Sequence, residues 1–79
     1  MRIEITKIHD DAVIPHYVHS GDSGMDLYSI KDATIKPGTS AFVPTGLKIA
    51  VPEGYEAQVR PKSGLALKHS ITVLNTPGT

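Results

Sequence analysis

Leu47-Lys48-Ile49-Ala50-Val51-Pro52-Glu53-Gly54-Tyr55-Glu56-Ala57-Gln58-Val59-Arg60 carries two alternating runs on either side of a turn. Leu47, Ile49 and Val51 alternate with Lys48 and Ala50; Tyr55, Ala57 and Val59 alternate with Glu56, Gln58 and Arg60. A period of two sends successive side chains to opposite faces, so each run reads as a half-buried strand. Pro52-Glu53-Gly54 predicts that the two runs fold back on each other as a hairpin. Upstream, Arg2-Ile3-Glu4-Ile5-Thr6-Lys7-Ile8 has the same alternation and predicts another strand. Met25 to Ser29, Ala41 to Val43 and Ser70 to Leu74 complete the strand candidates. Pro37-Gly38 fits the central pair of a type II turn. His9 to Ser20 has no clean period, and Pro15 disfavours a continuous helix or ladder there. Gly64 to His69 is read as one short helical turn at most.

These elements predict an all-β fold, a jelly-roll-like β-barrel or sandwich, as a single domain over residues 1–79. A jelly roll uses about eight strands, and the candidates number roughly five or six. The expectation is therefore a β domain incomplete at its C-terminus, with edges that another chain or further residues must cover.

Composition narrows the function classes. The 79 residues contain no cysteine, which excludes disulfides and thiolate metal sites. Eight basic residues balance eight acidic ones, which argues against a general nucleic-acid or membrane-surface binder while permitting a local phosphate site. No apolar stretch approaches transmembrane length, and Met1-Arg2-Ile3-Glu4 is a polar alternation rather than a signal peptide. The expected location is the cytoplasm. His9, His16, His19 and His69 have no metal-binding spacing, and none is assigned to chemistry.

Arg60-Pro61-Lys62-Ser63-Gly64-Leu65-Ala66 is the chemically richest segment. Phosphate oxygens are held by charge-assisted bonds from Arg and Lys, by hydroxyls, and by backbone amides that glycine lets come close. Arg60, Lys62, Ser63 and Gly64 supply all three, and Lys68 extends the positive field. An ordinary surface turn with two solvated cations has the same composition. Neither the G-x-x-x-x-G-K-[ST] phosphate loop nor a dinucleotide fingerprint is present. Upstream, Gly21-Asp22-Ser23-Gly24-Met25-Asp26-Leu27 forms an acidic turn in which an Asp beside Gly equally serves as a local cap.

Taken together, the strings identify a resemblance. Arg60 to Ala66, followed by Lys68-His69-Ser70-Ile71, resembles the second motif of the homotrimeric deoxyuridine triphosphatases (dUTPases). Ser23-Gly24-Met25-Asp26-Leu27 resembles their first motif, and Asn75-Thr76-Pro77-Gly78-Thr79 the start of their third. Lys62 stands where many members carry arginine, which keeps the charge and loses the planar fork. The resemblance implies hydrolysis of dUTP to dUMP and pyrophosphate with Mg²⁺, in a homotrimer. It assigns Arg60, Lys62, Ser63 and Gly64 to the phosphates, Asn75 and Gly78 to uracil, and Asp26 to the hydrated Mg²⁺ indirectly, through water. The family's general-base aspartate would lie just beyond Thr79, so the 79 residues alone are expected to be inactive. The rival readings are a related dCTP deaminase and a non-catalytic nucleotide-binding or regulatory β domain.

Overall fold

The computed structural model describes residues 2–79. Strand β1, Glu4–Lys7, pairs antiparallel with β2, Leu47–Ala50, in a two-stranded sheet. Ile5 lies opposite Ile49, and the Ile8 amide donates to the Gly46 carbonyl at 2.8 Å just past the end of the strands. The alternation at the N-terminus therefore forms a strand, as its period requires. A single helix among the described residues, α1, spans Ser63–His69.

The anticipated hairpin over Leu47 to Arg60 does not form as a ladder. Its turn is present, with the Tyr55 amide donating to the Pro52 carbonyl at 3.1 Å and Gly54 at φ +84°. A turn with positive φ only at its third position has type II character, which splays its flanking segments instead of matching strand twist. The first arm pairs with β1, and the second is left with one isolated bridge, Val59 to Gly78.

Four further expectations are corrected. The sequence of Gly64 to His69 predicts one turn at most, and the helix there runs for seven residues. Leu65, Ala66 and Leu67 are good helix formers, and Ser70 closes the end in a left-handed conformation at φ 56°. Ser70 to Leu74 is not a strand, because its end curls into a turn in which the Thr76 amide donates to the Val73 carbonyl at 3.1 Å. Met25 to Ser29 and Ala41 to Val43 are likewise in no ladder; nearby, the Ile30 amide donates to the Pro44 carbonyl at 3.1 Å. The Pro37-Gly38 turn forms as read, with Gly38 at φ +75° and the Thr39 amide on the Lys36 carbonyl at 3.1 Å.

Among the described residues the buried apolar core reduces to Ala12, 5% exposed, beside Gly46. Phe42, Leu67 and Leu74 are 103%, 86% and 85% exposed. The accessible surface is 6974 Å², against about 4,700 Å² for a compact monomer of this mass. The radius of gyration, 13.8 Å, likewise exceeds the roughly 11.6 Å of a compact chain of this length. A closed barrel is not formed by these residues. What the fold does accomplish is to bring the acidic turn against the start of α1.

Candidate functional site

The site is built where two loops distant in sequence meet. Lys62 is the residue that enters α1, with extended dihedrals of φ −75° and ψ 125°. Lysine has no side-chain acceptor with which to cap the helix, and no side-chain cap bond is made. Its stem instead carries the ammonium across to the acidic turn, where Nζ donates to Asp26 Oδ2 at 3.0 Å. Among the described residues this is the sole ion pair, and the other side-chain hydrogen bonds span three residues or fewer.

Around the pair lies an open pocket of about 550 Å³, lined by Asp26, Lys62, Ser63, Gly64, Leu65, Lys68 and His69. That volume lies within the range of small-molecule sites. Ser63 and Gly64 form the first turn of α1, and the first described intrahelical bond at that end is Ala66 N–H to the Lys62 carbonyl at 3.0 Å. The amides of Ser63, Gly64 and Leu65 precede it and have no acceptor within the helix. Apart from its chain neighbours and the backbone of its own helix, no atom lies within 4 Å of where a Gly64 Cβ would sit, so the approach to its backbone is open. With two lysines, one hydroxyl and one carboxylate, the lining suits an anion accompanied by a cation.

The structure gathers Asp26, Lys62, Ser63 and Gly64 and leaves the other nominated residues apart from this pocket. Arg60 turns away, donating from Nε and from a terminal guanidinium nitrogen to Gln58 Oε1 at 3.1 and 2.9 Å. Gly78 is buried and exchanges both backbone bonds with Val59, 3.0 Å from its amide and 2.6 Å to its carbonyl. With donor and acceptor both committed, Gly78 serves by leaving room: an added Cβ would come within 3.3 Å of the Asn75 carboxamide. Asp22 is exposed and accepts from the His19 amide at 2.8 Å, consistent with a loop-apex residue.

His69 on the pocket wall was missed. Leu65, Lys68 and His69 stand at the i, i+3, i+4 spacing of one helix face, a signal that is invisible when the segment is read as a single turn. No group of three or more His, Cys, Asp or Glu that could hold a metal occurs among the described residues. Asp26 alone suits Mg²⁺ only in company with substrate oxygens and water, a coordination that this ion commonly adopts.

These features define a β-containing domain in which a basic loop faces a single carboxylate. Comparison with known proteins gives the family. Residues 10–76 match the dUTPase family model. The deoxyuridine 5'-triphosphate nucleotidohydrolase of Trichodesmium erythraeum is 58% identical over 79 residues, covering 100% of this chain and 56% of that protein. Those of Gloeothece citriformis and Clostridioides difficile are 60% and 58% identical over 79 and 77 residues, covering 100% and 98% of this chain and 54% of each relative. The chain belongs to the dUTPase family, an all-β family of nucleotide hydrolases. It spans about half the length of the relatives that it matches.

Proposed function

We propose that this chain carries the phosphate-holding part of an enzyme that hydrolyses dUTP to dUMP and pyrophosphate with Mg²⁺. The observation that carries the reading is the meeting of Asp26 with Lys62, Ser63 and Gly64 in one pocket. In this reading the Ser63 hydroxyl donates to the phosphate chain and stabilises charge as the bond between the α- and β-phosphates breaks. Lys62 neutralises phosphate oxygens, and Gly64 permits close backbone approach. Asp26 accepts from waters of the hydrated ion. When bound, Mg²⁺ offsets the charge of the phosphates.

Asn75 reads the carbonyl and imide edge of uracil with a group that both donates and accepts. In this reading the water-activating aspartate lies in the part of the relatives' length that these 79 residues do not span. The assembled enzyme is a cytoplasmic homotrimer whose jelly-roll domains are completed by those further residues.

The test is pyrophosphate release from dUTP, dCTP and UTP with Mg²⁺. It compares this chain with a chimera that continues it with the C-terminal portion of one of its relatives. Turnover of dUTP by the chimera alone is expected, with Ser63→Ala lowering it by roughly 10²- to 10³-fold. Equal turnover of UTP would sink the deoxyuridine reading, and release of ammonia from dCTP without pyrophosphate would favour a deaminase-related enzyme. Full activity of the 79 residues alone would refute the placement of the base.

A further inference from the structure

We infer that the Lys62–Asp26 pair is an exchangeable latch: each residue masks the other until phosphate claims the lysine and the hydrated cation claims the carboxylate. The inference rests on the dUTP-site reading and assigns Lys62 a second task, as the group that masks Asp26 until the ligand arrives.

Three observations carry it. The pair joins residues 36 apart in sequence and closes at 3.0 Å on the wall of the phosphate pocket, where both groups are named for opposite halves of the same ligand. Its side chains are 58% and 36% exposed, so it is an ion pair of the weak, solvent-screened kind that a ligand opens readily. Neither partner is held by another side chain among the described residues, which leaves both free to swing once parted. While the latch is closed the two charges cancel, and the net positive charge on the pocket is left to Lys68. Free metal therefore finds a masked carboxylate, and free phosphate finds a masked ammonium. A metal–polyphosphate complex satisfies both at once, which favours the complex over either component.

The distinguishing property is coupling. A simple field effect of Asp26 on an anion would be the same whether or not Lys62 is present, whereas masking makes the two substitutions non-additive. The experiment is calorimetric binding of inorganic pyrophosphate without Mg²⁺ to the wild type, Lys62→Gln, Asp26→Asn and the double variant. It is run in this chain and in the chimera described above. Lys62→Gln is expected to weaken binding roughly two- to five-fold more in the Asp26→Asn background than in the wild type, the range set by an exposed ion pair. Lys68→Gln, which removes an equal charge from the same pocket, is expected to weaken binding equally in both backgrounds. Additive effects of Lys62→Gln and Asp26→Asn would overturn the latch while leaving the phosphate site intact. Absence of pyrophosphate binding in every protein, the chimera included, would overturn both.

Discussion

At the scale of single residues, Gly46 constrains the fold most. Its φ of +68° lies in the left-handed region, and an added Cβ would sit 2.9 Å from His9 Cβ, 3.1 Å from Ala12 Cβ and 3.1 Å from Ile30 Cγ2. Two of those contacts are the stiff first atoms of side chains, so relief requires backbone movement. The Gly46 carbonyl also accepts from the Ile8 amide, which ties this corner to the end of β1. Gly46→Ala therefore combines dihedral strain with overpacking and is expected to cost about 2–3 kcal/mol in urea unfolding. Gly24→Ala, with nothing within 4 Å of the new methyl, is the control, expected to stay within about 1 kcal/mol. Equal losses at the two positions would refute the packing account. Nothing in the sequence singled out Gly46, since a glycine after Pro44-Thr45 reads as turn material and close approach is a tertiary fact. By contrast, Asp26, Lys62, Ser63 and Gly64, which the fold brings into one pocket, stand out in the sequence because they lie in short contiguous strings.

Among the elements, α1 shows what a residue-by-residue reading loses. Ser70 ends the helix at φ 56° and ψ 33°, its amide donating to the Ala66 carbonyl at 3.2 Å and the Ile71 amide to that of Leu65 at 3.3 Å. Glycine accepts this conformation without the Cβ penalty that serine bears. Ser70→Gly is therefore expected to stabilise the chain by about 0.5–1 kcal/mol, read as a rise of several degrees in melting temperature. A fall would show that the cap is held by something other than its dihedral angle. The missing glycine is also why the helix was underestimated: the usual stop signal is absent, and Gly64 at the other end argued for a loop. Strand β1 and the Pro37-Gly38 turn were legible because each is a local pattern. The partner of β2 was not, since pairing with residues 40 or more positions upstream leaves no mark in either segment alone. A two-stranded pair is marginal in water, so β1 and β2 need further cover to persist.

That need extends to the whole molecule. Alternation along the chain marked residues such as Tyr55 and Val59 as inward-facing, yet they are exposed here, as are Phe42, Leu67 and Leu74. Burial of a large apolar side chain contributes about 1.5–3 kcal/mol, so a set of this size left in water forgoes the main driving force of folding. The proposed trimer supplies cover, and closed rotational symmetry lets one patch complement another without open-ended growth. Binding of an apolar fluorescent dye measures the uncovered surface directly. The 79-residue chain is expected to enhance dye fluorescence strongly, and the chimera, sedimenting as a trimer, to give several-fold less signal per chain. Phe42→Ser should lower the signal of the short chain while shifting its stability by no more than about 0.5 kcal/mol, because a fully exposed ring has little packing to lose. An unchanged signal in a trimeric chimera would place the cover elsewhere, and a chimera that sediments as a monomer with quenched fluorescence would assign it to the added chain instead of to neighbouring subunits.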